Sequence, residues 1–295
     1  MCSLPKAPFG SRAMREEQGN IYKNQNGRAQ IVSCYLASGG LFFLNGYMER
    51  LKDSFQLIGK FLSFSMILWV WHIIWGMVPD DVLGGGVYSH ANLVWYIAIT
   101  ECIIFCGGHL FYDAYMDIKS GAIEQMLMRP VSYQFRAFAQ WYGKALGQAS
   151  LFFPLAMLAA FFITGEWALD AGRIALAAVM VACALFCVVC LNYMVALTTL
   201  WIKEASPAYW IIQKLCFLFG GLLFPITLYP DAFYAVLKFL PFAAVFFFPG
   251  TAALDVMPFS VGALIGIELF WMVALCGLSI LIHRIAINHI GKYGV

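Results

Sequence analysis

The chain has 295 residues, of which 62% are hydrophobic and only 12% are charged. A soluble domain usually carries about 25% charged residues, so this composition argues against a soluble enzyme or binding module and predicts an all-α, polytopic membrane protein. The net charge of +2 gives no indication of a nucleic-acid partner.

The N-terminal region is the most polar part of the chain. Residues 1–30 carry several charges and no apolar run of the signal-peptide kind, so we expect a partly disordered cytoplasmic tail. Residues 31–57 begin apolar and end charged, and their apolar part is short for a membrane span. They are predicted to form an interfacial helix that lies along the membrane.

The region 58–295 is predicted to form one transmembrane domain. Six apolar runs in it approach or exceed the roughly 20 residues that a helical span needs. They cover about residues 58–78, 92–112, 141–164, 174–201, 209–228 and 260–282.

The segment 229–259 differs from these spans, because four prolines break its apolar stretches. Short helices that enter the membrane and return on the same side fit this pattern, so we expect re-entrant helices before the last span. Four residues that break the helical pattern lie just before this region or in its first half: Gly221, Pro225, Pro230 and Pro241. They are interpreted either as helix-packing positions or as parts of an outer gate.

The distribution of positive charge predicts the orientation. All Lys and Arg residues except Arg173 and Lys238 lie in the N-terminal region, in residues 113–144, in the turn 201–214 or near the C-terminus. The positive-inside rule therefore places both termini and the polar segment 113–136 in the cytoplasm.

The segment 113–136 is the longest polar interruption after residue 60. It holds six charged residues, and their desolvation prevents it from crossing a bilayer. Apolar residues at helical spacing predict a short helix, with Gly121 and Pro130 at its ends. We interpret this segment as the place where another protein acts on the membrane domain.

No catalytic motif is present. The sequence contains no HExxH, GxSxG or phosphate-binding P-loop pattern, so the chain is not expected to be an enzyme, to hold a metal or to hydrolyse ATP. Two acidic residues, Glu101 and Glu268, lie inside predicted spans. They indicate either a proton or cation site or carboxyl groups that fix helix packing. Five aromatic residues are interpreted as an interfacial belt, with a drug-binding aromatic wall as the alternative: Trp69, Trp71, Trp75, Trp95 and Tyr96.

Two segments resemble a known family. The first matches the pattern D-I-x-S-G-x-I-x-x-x-L-x-R-P-V at Asp117, Ile118, Ser120, Gly121, Ile123, Leu127, Arg129, Pro130 and Val131. The second, from Phe219 to Phe242, is similar to a G-x-x-x-P-x-x-x-x-P…L-P-F stretch. Both resemble the permease subunits of bacterial type-2 ABC exporters, and the resemblance extends from about residue 45 to the end of the chain.

This resemblance implies a half-transporter in the bacterial cytoplasmic (inner) membrane. Its expected partners are a second permease subunit, a cytoplasmic ABC ATPase dimer that binds ATP and Mg, and membrane lipids. The segment 113–136 would be the coupling helix, and the re-entrant region would be the outer lid. The implied ATPase-coupling residues are Asp117, Lys119, Ser120, Gly121, Glu124, Arg129 and Pro130.

Two alternatives remain open from the sequence. A stand-alone, ion-coupled secondary transporter would use Glu101 and Glu268 as its coupling pair. A membrane scaffold or assembly factor would have no transported substrate at all.

Overall fold

The computed structural model describes residues 38–52, 54–79, 83, 88–107, 110–128, 131–252, 254 and 259–293. Within these residues the chain forms helices and no strand, which confirms the predicted all-α class. The predicted tail 1–30 lies outside the described residues, as do Arg129 and Pro130.

Thirteen α-helices follow one another in the described residues. They are α1 (38–52), α2 (Ser54–Gly76), α3 (His90–Gly107), α4 (Leu110–Lys119), α5 (Ala122–Leu127), α6 (Tyr133–Thr164), α7 (Ala171–Leu197), α8 (Thr199–Ile202), α9 (Ser206–Phe219), α10 (Asp231–Leu237), α11 (Pro241–Val245), α12 (Phe247–Thr251) and α13 (Val261–Tyr293). A 3-10 turn, Ile226–Leu228, separates α9 from α10.

Five stretches of helix in the described residues are long and apolar enough to cross a membrane. They are Gln56–Gly76, His90–Lys119, Tyr133–Thr164, Ala171–Ile202 and Val261–His289. They confirm a polytopic membrane protein and correspond to five of the six predicted spans.

The predicted span at 209–228 has a different form. Helix α9 has 14 residues and ends at Phe219, which gives it a length of about 21 Å against a hydrocarbon core of about 30 Å. Gly221 then has a positive φ of 71°. This left-handed conformation cannot continue an α-helix, and glycine adopts it without strain. The number of six spans therefore stays a prediction.

Helices α3 and α7 form the centre of the bundle. Helix α3 packs against α2, α6, α7 and α12, and α7 packs against α4, α6 and α13. Trp95 and Tyr96 on α3 are completely buried, so their assignment to an interfacial belt was wrong. Helices α2 and α13 expose long apolar faces, which a surrounding membrane or another subunit would cover.

The Pro-rich region contains short helices packed into the bundle. Helices α11 and α12 have five residues each, and residues 243–252 are buried throughout. They contact α3, α7 and α9, whereas α10 is mostly exposed. Irregular backbone at membrane depth requires such protein surroundings, because hydrocarbon cannot satisfy its polar groups.

The segment 113–136 is more divided than the sequence predicts. Helix α4 continues to Lys119, because Phe111, Ala114 and Ile118 are completely buried on a helix that packs against α7. Gly121, with φ 71°, then starts a separate helix, α5. The charged segment therefore consists of the end of α4, a glycine turn, α5 and the first turn of α6.

Candidate functional site

A charged surface forms at one end of the bundle. We define the platform as residues 113–128 and 133–136, which comprise the end of α4, the short helix α5 and the start of α6. Ile123 is buried and anchors α5, whereas Met116 and Met128 expose 59% and 88% of their surface. The platform thus presents apolar and charged side chains together, as surfaces that bind another protein often do.

The structure describes five of the seven predicted coupling residues, and all five lie on the platform: Asp117, Lys119, Ser120, Gly121 and Glu124. The hydroxyl of Tyr133 donates to Asp117 Oδ2 over 3.1 Å and so ties α6 to α4. Ser120 Oγ donates to the carbonyl of Met116 over 2.7 Å, and Glu124 is exposed in the first turn of α5.

The platform is joined to the turn before α9 through Glu204. Its Oε2 accepts hydrogen bonds from Lys119 Nζ over 2.8 Å and from the Tyr115 hydroxyl over 2.7 Å. Its Oε1 accepts from Ser206 Oγ over 2.5 Å. The hydrogen bond from Lys119 is the main reason that the pKa of Glu204 is lowered to about 2, with smaller contributions from Ser206 and Tyr115.

Sequence reasoning missed this junction, because residues 203–207 were interpreted only as a brief turn. Lys203 has a positive φ of 56°, an uncommon conformation for a residue with a side chain. The charged pair Lys203-Glu204 directly before Ser206 and Pro207 was the signal available in the sequence.

Helix α1 lies in close backbone contact with α6. A Cβ atom on Gly46 would lie 2.1 Å from the carbonyl oxygen of Gln140. On α6, a Cβ on Gly143 would lie 2.2 Å from the carbonyl oxygen of Phe43. A Cβ on Gly147 would lie 2.7 Å from that of Tyr47. These contacts require glycine on both helices, and the Gly143–Gly147 spacing is the small-xxx-small pattern of membrane helix pairs. That pattern is present in the sequence but was not among the predicted contacts.

Polar contacts also connect α1 to the rest of the bundle. Gln148 Oε1 on α6 accepts from Arg50 Nε over 2.8 Å and from Lys60 Nζ over 3.0 Å. Lys144 Nζ lies 3.0 Å from Glu49 Oε1 and 3.2 Å from Asp113 Oδ2. Lys144 thereby links α1 directly to the platform.

The predicted outer-gate residues surround a bend that α3 supports. Gly221 opens the bend, and Pro225, Pro230 and Pro241 directly precede or begin the 3-10 turn, α10 and α11. The hydroxyl of Tyr96 donates to the carbonyl of Gly221, and that of Thr100 donates to the carbonyl of Leu222 over 2.8 Å. Two side chains of a central helix therefore satisfy carbonyl groups that lie beyond the end of α9.

The two acids of the predicted spans lie on different helices. Glu101 is 6% exposed on α3, and Glu268 is fully buried on α13. Neither carboxylate oxygen of Glu268 has a hydrogen-bond partner in the described residues. Its electrostatic neighbours include Cys183 and Cys187 of α7, and no hydrogen bond or ion pair within the described ranges joins it to Glu101.

A small cleft of about 60 Å³ lies between α3, α7, α9 and the short helix α11. Ile104, Val188 and Phe217 give it apolar walls, and Asn192 and Gln213 add amide groups. Its lining of apolar walls with a few polar groups resembles that of a small-molecule site, but its volume is well below the roughly 300 Å³ at which such sites begin. Among the residues that the structure describes, no cluster of His, Cys, Asp or Glu could hold a metal ion.

Residues 88–291 match the model of a protein family described as ABC-2 family transporter protein. This range contains the platform, the Glu204 turn, the cleft and the Pro-rich region. Comparisons with curated proteins and with solved structures returned no match.

Proposed function

The chain belongs to the ABC-2 family of transporter proteins, and on that basis we propose that it is the permease subunit of an ATP-driven exporter in a bacterial inner membrane. Family membership makes it a membrane component of an ABC transporter rather than an ATPase. The observation that carries the more specific proposal is the platform, because it is a charged, partly apolar surface with connections to two different parts of the bundle.

The platform is proposed as the docking site of a separate cytoplasmic ATPase. Glu124 and Met128 are exposed on or next to α5, while Ile123 holds the helix against the bundle. A partner that binds α5 would therefore contact a helix that packs against the bundle, and a displacement of α5 would be transmitted to the bundle. The absence of a P-loop pattern from the sequence fits a partner that supplies ATP hydrolysis.

Two connections are proposed to carry the movement of the platform into the membrane. The Lys119–Glu204 contact leads to Ser206, the first residue of α9, and later residues of α9 line the cleft. The Asp113–Lys144–Glu49 contacts lead to α1, which is fixed to α6 by the glycine contacts. A displacement of α5 would then reach the cleft helix and the α1–α6 pair together.

A second permease subunit is proposed to cover the exposed face of α9. Trp210, Ile211, Lys214 and Leu218 are exposed on this helix, and Lys214 Nζ lies 4.9 Å from the centre of the Phe217 ring. Lys214 was predicted to lie in the cytoplasmic turn 201–214, but it lies eight residues after the start of α9, about 12 Å along the helix axis. A cation at that depth is costly against lipid, so this face suits a partner subunit or an aqueous path.

The alternative of a stand-alone carrier has less support. Its two coupling acids would have to act as a pair, yet Glu101 lies on α3 and Glu268 faces α7 from α13. If the carrier hypothesis were correct, replacing both by glutamine would abolish transport driven by an ion gradient. An exporter driven by a bound ATPase would keep its ATP dependence in the same variant.

The test of the proposed function is the isolation of the chain from its native membrane in mild detergent, followed by mass identification of its partners. We expect an ABC ATPase in equal amount and loss of that ATPase when Glu124 is replaced by lysine. Glu166→Lys, an exposed change in the loop between α6 and α7, is the matched control. A chain that is isolated alone in several detergents, and whose transport follows an ion gradient, would overturn the proposal.

A further inference from the structure

A second and larger opening lies between α6, α7 and α13, apart from the α3–α7–α9 cleft. Its volume is about 590 Å³. Aromatic side chains dominate its walls, with Phe135, Phe138 and Tyr142 from α6 and Phe186 from α7. We call this opening the aromatic groove.

A guanidinium group lies at one end of the aromatic groove. Arg284 of α13 borders the groove, is exposed, and has no ion pair or hydrogen bond with any residue that the structure describes. Arginine stays protonated at every physiological pH and binds phosphate oxygens in a bidentate manner. The groove therefore has a permanent positive charge that the rest of the described chain does not neutralise.

The same end of the groove holds the start of α6. Its N-cap residue, Ser132, borders the groove and makes no side-chain capping hydrogen bond. The first N–H groups of a helix carry partial positive charge, which adds to the charge of Arg284.

The remaining length of the groove is apolar and leads away from this charged end. Cys276, another lining residue of α13, lies eight residues before Arg284, which corresponds to about 12 Å along the helix. A groove with cationic groups at its mouth and aromatic walls for the next 12 Å or so matches a phosphate headgroup followed by the upper part of an acyl chain.

We propose that the aromatic groove is a binding site for one anionic phospholipid, with its phosphate at Arg284 and an acyl chain along Phe138 and Phe186. Charge selects the lipid class, because a zwitterionic headgroup brings a second, positive charge to the same mouth. The lipid would fill the space between α6 and α13, which are joined at this level by the hydrogen bond from Gln134 to Ser279 over 3.0 Å. This inference concerns the membrane domain itself and does not require the proposed ATPase partner.

The test uses the full chain, purified and exchanged into detergent that contains either phosphatidylglycerol or phosphatidylcholine, with bound lipid counted by native mass spectrometry. We expect retention of one phosphatidylglycerol and little phosphatidylcholine. Arg284→Gln should lower phosphatidylglycerol retention several-fold, and Arg284→Lys should have an intermediate effect, because it keeps the charge and loses the bidentate geometry. Arg173→Gln, which removes the same charge at the start of α7, should leave retention unchanged.

Four outcomes would overturn the proposal. Equal retention of both lipids would mean that the charged mouth does not select a headgroup. Unchanged phosphatidylglycerol retention in Arg284→Gln would place the bound lipid elsewhere. A photo-crosslinker at Phe135 that captures a second copy of the chain instead of lipid would assign the groove to a subunit interface. Displacement of the lipid by millimolar inorganic phosphate alone would likewise show that the site binds a free anion rather than a phospholipid.

Discussion

Lys119 and Glu204 are 85 positions apart in the sequence, yet Nζ of Lys119 lies 2.8 Å from Oε2 of Glu204. The contact joins the last residue of α4 to the turn that leads into α9. Both side chains are about half exposed, so the pair contributes little to the stability of the fold. Its position suggests a role in transmission, because the platform and the cleft helix meet at this point.

Reversal of one charge in this pair should uncouple ATP hydrolysis from transport. Lys119→Glu places two carboxylates together, and we expect the amount transported per ATP to fall several-fold while the melting temperature changes little. The double variant Lys119→Glu/Glu204→Lys should recover part of the coupling, because it restores opposite charges. Lys203→Glu, an equal charge change in the same turn, should not behave like Lys119→Glu. If all four proteins transport equally per ATP, the junction has no part in coupling.

The Glu204 junction should also resist mild acid. Its folded pKa of about 2 lies below the usual value of 4.5, so its stabilising contribution is complete above about pH 4.5 and disappears as the pH falls through 2. The difference in melting temperature between the wild type and Glu204→Gln should be small, stay constant from pH 8 to pH 5 and shrink only below that range. A difference that disappears between pH 7 and pH 6 would contradict the assigned contacts.

The contact between α1 and α6 gives a prediction about glycine. Gly46→Ala would place a Cβ 2.1 Å from a backbone oxygen, so the helices must separate, at a cost of about 1–3 kcal/mol for overpacking. Thermal unfolding in detergent should show a clear loss of stability, and Gly143→Ala should do the same from the other helix. Gly40→Ala is the control on α1, because a Cβ there meets nothing within 4 Å. Equal melting temperatures of Gly40→Ala and Gly46→Ala would mean that the close contact at Gly46 does not determine the stability.

The sequence predicted the class of the fold because long apolar runs are a strong, local signal. It also located the platform, because charges at 113–136 cannot cross a membrane. It missed what depends on distant residues meeting: Glu204 and Lys119 are joined only after α7 has returned the chain to the platform. The burial of Tyr96 was missed for a similar reason, since a tyrosine near the end of an apolar run suits the membrane surface equally well. The hydrogen bond from its hydroxyl to the buried carbonyl of Gly221 in the bend explains why that tyrosine lies inside.

The support of that bend by α3 can be tested through its hydroxyl groups. Tyr96→Phe removes the donor to the carbonyl of Gly221 and leaves a buried acceptor unsatisfied, which costs about 1–3 kcal/mol. We expect a lower melting temperature, and Thr100→Val should act similarly through Leu222. Tyr112→Phe is the control, because that side chain is 41% exposed and its hydroxyl has no hydrogen bond with the described part of the chain. Equal melting temperatures for Tyr96→Phe and Tyr112→Phe would show that the bend does not depend on α3.

The exposed face of α9 should contact a second permease subunit. Lys214 makes this face unsuitable for lipid, whereas the exposed residues Leu269, Phe270 and Val273 of α13 are all apolar and suit lipid well. A photo-crosslinking amino acid at Ile211, 61% exposed beside Lys214, should therefore capture another permease in native membranes. The same group at Val273, 74% exposed, should capture lipid instead. Mass identification of the captured chain would distinguish a homodimer from a pair of related subunits. If Ile211 captures only lipid while Val273 captures protein, the subunit contact lies on α13 and the arrangement proposed for α9 is wrong.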